Sequence, residues 1–274
     1  MRYIFVLLFC TFNLFAYERI IALSPSINEI IYALGEGDKI VGNTKYCNYP
    51  EDAKTKTKVG GYFSPNLERI VALKPDIVIM LEVTKNLSAK LNKLGIKTKI
   101  IKLTQLNDIK NSIQQIGEIL DKQKEASKIL TKIDTELLSI QNIVKDKKIL
   151  IIIGSYGTIK KRVFVVGQNL YFDDIINHSG NTNALQSNRK GQPVLNVENI
   201  IATNPDIVIL LSPLREQRGF SIEDIKKPWL SLPINATKQN NIYVADKPYS
   251  AIASDRIVYF LRDFKEYLTD VKNR

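Results

Sequence analysis

The sequence predicts an α/β protein built as two Rossmann-like lobes joined by a long rigid helix. Three observations carry that expectation. Residues 66–81 (NLERIVALKPDIVIML) and 196–211 (NVENIIATNPDIVILL) are identical at ten of sixteen positions, 130 residues apart. Each copy reads as a short helix capped by Asn66 or Asn196, a Pro-Asp turn that cannot continue the helix, and a strand. Both strands run Ile-Val-Ile without alternation, as a parallel strand covered on both faces does. Between the copies lies Glu118–Lys147, free of Gly and Pro, with Ala126, Ile129, Ile133, Leu137 and Ile140 on one helical face. From Gln123 to Asp146 a straight helix would span about 36 Å at about 1.5 Å per residue, enough to cross between lobes. The expected organisation is a leader over 1–16, an N-terminal lobe over 17–120, a bridging helix over 121–147 and a C-terminal lobe over 148–274.

The leader rests on one basic residue, Arg2, followed by an apolar run from Tyr3 to Phe15 that is short for a membrane span and suits a signal-peptide core. Cleavage is expected after Ala16; Cys10 follows the bulky Phe9, where a lipoprotein signal needs a small residue. No other segment is long and apolar enough to span a bilayer, so no membrane insertion is expected after cleavage, and the expected location is the periplasm. Without residues 1–16 the chain keeps one cysteine, Cys47, which rules out an intramolecular disulfide and leaves stability to the core. The balance is basic, +11 over the whole chain. The lysines are dispersed along helices, with no Arg-rich, aromatic-interleaved stretch, so nucleic acid is not the expected partner.

In chain order, Glu18–Leu23 reads as the first strand. Ser24 or Ser26 caps a helix with Ile27, Ile30, Ile31 and Leu34 on its apolar face, stopped by Gly35. A strand begins at Ile40, and a loop follows with Tyr46, Cys47, Tyr49 and Pro50. Gly60-Gly61 permits a tight turn before Tyr62 and Phe63. After the first repeat come a helix over 85–94 and a strand over Lys99–Leu103. The second lobe opens on KKILIIIGSYGT, with a further strand over Arg162–Gly167. Its segment LYFDDIINHSGNTNAL resembles INEIIYALGEGDKIVG of the first lobe, Gly180 ending the helix as Gly35 does. A last strand at Ile242–Ala245 precedes an amphipathic terminal helix. In such open sheets the loops at the carboxyl ends of strands form the ligand crevice, here beginning near Ser24, Thr44 and Glu82.

The catalytic inventory is thin. His178, the only histidine, sits at a helix end, where it serves the dipole; Cys47 has no neighbouring histidine; His/Cys metal clusters, GxGxxG, the P-loop and GxSxG are absent. No catalytic residue, metal or resident cofactor is therefore expected. Glu68 and Glu198 stand out, each in the first turn of a repeated helix, where a carboxylate favours the dipole. The same pair offers one acid per lobe to a symmetric partner carrying an arginine patch in each half. Tyr46, Tyr49, Tyr62, Phe63, Tyr156, Tyr249 and Trp229 lie in or beside predicted loops; each alone reads as core packing, and their bunching at strand-end loops of both lobes sets a cleft for a flat apolar ligand level with that reading.

Together, RIIALSPSINEIIYALGEGDKIVG, TKYCNYPEDAK, KVGGYFSPNLERIVALKPDIVIM and NVENIIATNPDIVIL resemble the periplasmic binding proteins of ABC importers for cobalamin, haem and iron–siderophores. The likeness is greatest to the cobalamin-binding branch, through Tyr46-Cys47-Asn48-Tyr49-Pro50 and the Gly-Gly turn. The resemblance implies a class III binding-protein fold, a monomer that delivers a corrinoid held between the lobes, and docking of Glu68 and Glu198 on arginines of the two permease subunits. It also implies that Tyr46 lines the ligand site and that Arg256 matches an arginine of the family's C-terminal loop. The expected ligand contacts are Tyr46, Tyr62, Phe63, Tyr156, Tyr249 and Arg256. Leu81 stands where a corrin-facing tryptophan is expected, which keeps haem or a ferric siderophore as the alternative ligand. A cleft enzyme on a two-lobed frame is the remaining reading.

Overall fold

In a computed structural model the chain is described for residues 17–154, 157–159, 162–187 and 192–274; the leader lies outside these. Two separate sheets form. The N-terminal sheet takes β1 (Ile20–Ala22), β2 (Ile40–Asn43), β3 (Thr57–Lys58), β4 (Ile77–Leu81) and β5 (Lys97–Ile101) in the order β3-β2-β1-β4-β5, all parallel. Its helices are α1 (Pro25–Ala33), α2 (Leu67–Ala72) and α3 (Lys85–Lys93). Two helices lead out of the lobe, α4 (Leu106–Ile119) and α5 (Gln123–Ser139).

The C-terminal sheet is mixed. Its strands are β6 (Lys148–Ile153), β7 (Val163–Val165), β8 (Thr182–Asn183), β9 (Val194–Leu195), β10 (Ile207–Leu211) and β11 (Ile242–Ala245). β8, β10 and β11 run parallel to β6 directly or through the ladder, repeating the β2-β1-β4-β5 arrangement as β8-β6-β10-β11. The addition is an antiparallel pair: β7 on the far half of β6, and β9 on β7. Helices α6 (Tyr171–His178), α7 (Val197–Thr203), α8 (Ile222–Lys226), α9 (Asn235–Lys238) and α10 (Ile257–Asn273) complete the lobe.

The uninterrupted Ile/Val/Leu runs follow from burial on both faces. Ile20, Ala22, Ile77 and Ile79 of one sheet and Ile149, Ile151, Ile207 and Ile209 of the other face a single shared core with α1, α4, α5, α6 and α10. The intervening residues feed separate outer cores, Ile21, Val78 and Met80 with Ile70 in one lobe, Leu150, Ile152, Val208 and Leu210 with Ile200 in the other. The molecule is thus sheet, helical layer, sheet, each outer face closed by its own helices.

The expected single bridging helix is corrected. α5 starts at Gln123 but ends at Ser139, so its 17 residues span about 25 Å at about 1.5 Å each. Beyond it the backbone leaves the helix to bond the other lobe: Asn142 N–H donates to Ser179 O (3.0 Å) and Asp146 N–H to Gly180 O (3.1 Å), both from left-handed conformations. Before it, α4 covers residues read only as a lobe terminus. α4 and α5 approach so closely at Gly117 that a Cβ there would lie 2.7 Å from the Ala126 Cβ. The connection between lobes is a packed helix pair.

Candidate ligand-binding cleft

A cleft of about 650 Å³ opens between the lobes. The carboxyl end of every N-terminal strand contributes to it: Pro25 and Ser26 after β1, Tyr46 after β2, Tyr62 and Phe63 after β3, Leu81–Val83 after β4 and Ile101–Thr104 after β5. Ala251–Ala253, just before α10, form the wall from the other lobe. Its volume lies in the ~300–1,000 Å³ range of small-molecule sites, and its lining is mainly apolar and aromatic.

Two loops present the aromatic rim. In the first, the half-buried Lys58 ammonium donates to Asn43 Oδ1 (2.8 Å), Cys47 O (3.1 Å) and Ala53 O (2.8 Å). Burial lowers the Lys58 pKa, since these partners are neutral and water is excluded. Cys47 is buried beneath the loop, 3.3 Å from Thr44 Oγ1, and burial raises its thiol pKa. With Thr44 and Cys47 turned inward, Tyr46 is turned out, 52 % exposed, its ring 5.0 Å from Lys45 Nζ. In the second loop Gly60 has φ +118° and no room for a side chain: a Cβ would meet Ser64 O at 2.7 Å. Gly61 N–H donates to Ser64 O and Asn66 N–H to Val59 O, and the tip so formed carries Tyr62 edge-on to Phe63, ring centroids 4.6 Å apart. Burial raises the Tyr62 pKa, while Phe63 is 77 % exposed at the rim.

Tyr46, Tyr62 and Phe63 are therefore brought together, and two other expected contacts, Tyr249 and Arg256, are not. Tyr156 lies outside the described residues. Tyr249 packs 5.3 Å from the Tyr259 ring and donates to Asp263 Oδ1 (3.3 Å), away from the cleft lining. Arg256 is 6 % exposed and held by Glu29, which takes Nε at 3.1 Å and also receives Nη2; its guanidinium sits 3.8 Å over the Tyr49 ring. A cation so satisfied ties the lobes together and does not face a ligand. Trp229 is buried in the outer C-terminal core, and exposed His178 ends α6 with Gln141 Nε2 3.0 Å from its Nε2. Among the described residues no group of three or more His, Cys, Asp or Glu could hold a metal. Ile101–Thr104 and Ala251–Ala253 were not expected; the first could have been found as a carboxyl strand end, whereas nothing in Ala-Ile-Ala marks the second.

Glu68 and Glu198 occupy matched places. Asn66 Oδ1 accepts from Arg69 N–H (2.8 Å) and Asn196 Oδ1 from Asn199 N–H (2.9 Å), so each glutamate follows a formed cap by two residues. Both are exposed. No described helix is long and apolar enough to cross a membrane.

Comparison with known proteins agrees with this architecture. The Periplasmic binding protein family profile matches residues 20–249. An uncharacterized ABC transporter substrate-binding lipoprotein of Bacillus subtilis, YvrC, is 27 % identical over 262 residues, covering 91 % of this chain and 79 % of its own. A vitamin B12-binding protein of Vibrio parahaemolyticus is 24 % identical over 263 residues, covering 94 % and 91 %. The crystal structure of the periplasmic vitamin B12 binding protein BtuF of Vibrio cholerae superposes with a TM-score of 0.79 over 94 % of this chain and 99 % of that one, at 20 % identity, and so shares the fold. With its two sheets, helical layer and cleft, the chain belongs to the periplasmic binding protein family.

Proposed function

We propose that this protein is the extracytoplasmic binding component of an ABC importer, a monomer that holds a corrinoid between its lobes and performs no chemistry on it. The observation that carries this reading is the cleft itself: a mainly apolar gap of about 650 Å³ whose rim is Tyr46, Tyr62 and Phe63, which offers a flat ring system aromatic faces to lie against. The vitamin B12-binding relative supports the ligand class, and the ABC transporter substrate-binding relative supports the transport role. Export through the leader, with cleavage after Ala16, places the protein where such an importer collects its cargo. Titration of the purified protein with cobalamin, cobinamide, haem and ferric chelates tests the ligand. Saturable corrinoid binding is expected; a haem Soret band with no corrinoid response would replace the corrinoid by haem, and silence to all would overturn the reading.

Delivery needs a partner, and Glu68 with Glu198 supplies one exposed carboxylate per lobe to arginines on the two permease subunits. Glu68→Ala with Glu198→Ala is expected to leave the corrinoid Kd unchanged and abolish uptake in reconstituted vesicles. Lost binding in that variant would place the acids in the cleft's service instead.

A further inference from the structure

The resemblance between the first helices of the lobes extends to what their side chains hold. Aligned on Gly35 and Gly180, both at φ near +85° (85° and 84°), α1 and α6 match Asn28 to Asp173 and Glu29 to Asp174. The first pair does the same work twice within its own lobe. Asn43 Nδ2 donates to Asn28 Oδ1 and Asn183 Nδ2 to Asp173 Oδ1, each at 2.9 Å. The second pair also does one job twice, but across the lobes. Glu29, 4 % exposed, accepts from Ser254 Oγ (2.6 Å) and from the Arg256 guanidinium of the C-terminal lobe. Asp174 Oδ2 accepts from Leu106 N–H (2.7 Å) at the start of α4, while Tyr171 N–H donates to Thr104 O (2.8 Å).

Both contacts fall directly behind a wall of the cleft. Ala251–Ala253 line it and Ser254 follows at once; Ile101–Thr104 line it and Leu106 follows. Glu29 lies one helical turn beyond Pro25 and Ser26, which line it too. Tyr49, whose ring covers Arg256 and whose carbonyl accepts from Asn28 Nδ2 (2.9 Å), sits three residues from Tyr46 on one loop. A charge-assisted, buried, two-point contact resists separation more than a neutral one does.

From this arrangement we infer that Glu29 and Asp174 are duplicated positioning residues that staple the segments behind two walls of the cleft and fix its width. They touch no ligand; they hold the segments that do. The inference concerns the cleft, whose use is the function proposed above, but its test is run without ligand. Spin labels at Lys90→Cys on α3 and Glu223→Cys on α8, both exposed, report the distance between lobes. Removing one partner of a buried pair risks unfolding, so the first staple is removed whole, Glu29→Leu with Arg256→Met. The second is removed by Asp174→Leu, where the Gln105–Asp108 capping box still closes α4.

A single narrow distance distribution is expected in the parent protein, a broader one in each variant and the broadest in the combination. A corrinoid Kd raised about tenfold in each variant would accompany it, an effect on the scale of losing one charged hydrogen bond's contribution. Distributions as narrow as the parent's in folded variants overturn the inference, whatever the ligand. Broadened distributions in a protein that binds no corrinoid support the staples and sink only the ligand assignment.

Discussion

The two lobes are the same device built twice, and they differ where the strands end. Behind the strands the copies agree closely. Asp76 Oδ2 accepts from Glu18 N–H and Arg19 N–H (both 2.9 Å), and Asp206 Oδ2 accepts from Lys148 N–H (2.9 Å). In return Asp76 N–H donates to Arg19 O and Asp206 N–H to Lys148 O, each at 2.8 Å. The repeated Pro-Asp is thus a bracket that sets the register of one strand on its neighbour, Ile77 on Ile20 and Ile207 on Ile149. At the carboxyl ends the likeness stops. β4 runs into the cleft-lining Leu81–Val83, whereas β10 ends at buried Leu211 and its loop is tied by Arg215 Nη2 to Asp246 Oδ2 (2.6 Å). The lesson is that a duplicated sequence reports scaffold, and the unmatched loops report ligand.

If the outer cores are separate compartments, Ile70→Ala and Ile200→Ala offer the sharpest break. Each side chain is fully buried in its own lobe's outer core, and each truncation is expected to cost about 2–5 kcal/mol in urea unfolding. Because no residue is shared between those cores, the double variant should lose the sum to within about 0.5 kcal/mol. A large coupling term would show that the two outer cores are energetically linked through the shared helical layer.

The staples differ in a second way, through their charge. Beside the Glu29–Arg256 pair lies Asp255, whose Oδ1 is buried without a hydrogen-bond partner. Burial pushes its pKa up to about 7, the Glu29 charge adding to the rise and Arg256 opposing it. The folded form then holds a proton that the unfolded chain releases near pH 4. Stability is accordingly greatest below that range and falls as pH rises through about 7, by at most about 1.4 kcal/mol per unit. Asp255→Asn should flatten the stability profile between pH 4 and 7 and make the protein more resistant to urea at pH 8. Asp174 also has a raised pKa from burial, so the corresponding Asp174→Asn profile shows whether the second staple shares the sensitivity.

How much of this was legible beforehand follows the same division. Asn66, Asn196, Pro75 and Pro205 act locally, through caps and turns, and the chain itself displays them; the strand over Ile242–Ala245 and the start of α5 at Gln123 follow equally from periodicity. The end of α5 did not, because Ile140 and Ile143 keep the helical spacing while the backbone is captured by Ser179 and Gly180. Arg256 was misplaced for a related reason: its partner Glu29 lies 227 positions away, and no local pattern announces so distant a pair. Tyr46, Tyr62 and Phe63 could be found because loop position and residue type coincide there, and β7 falls within the strand expected over Arg162–Gly167, whereas the two-residue β9 is too short for any period to show.

The smallest expected effect tests the repeats at one matched position, where opposite signs are predicted. Lys74 and Asn204 both adopt left-handed backbone, φ 44° and 41°, to leave the helix before the Pro-Asp bracket. A lysine there bears a steric strain of about 1 kcal/mol that glycine relieves. Its carbonyl, not its side chain, is what Arg19 Nε holds at 3.1 Å, so Lys74→Gly keeps that contact and is expected to stabilise by up to about 1 kcal/mol. Asn204 tolerates the conformation and its Oδ1 also accepts from Asn235 N–H (2.9 Å), the first residue of α9. Asn204→Gly relieves little strain, removes that bond and is expected to destabilise by about 1 kcal/mol. Equal shifts of the same sign in thermal unfolding would mean that the backbone alone governs both corners, and that the C-terminal copy gained nothing from its asparagine.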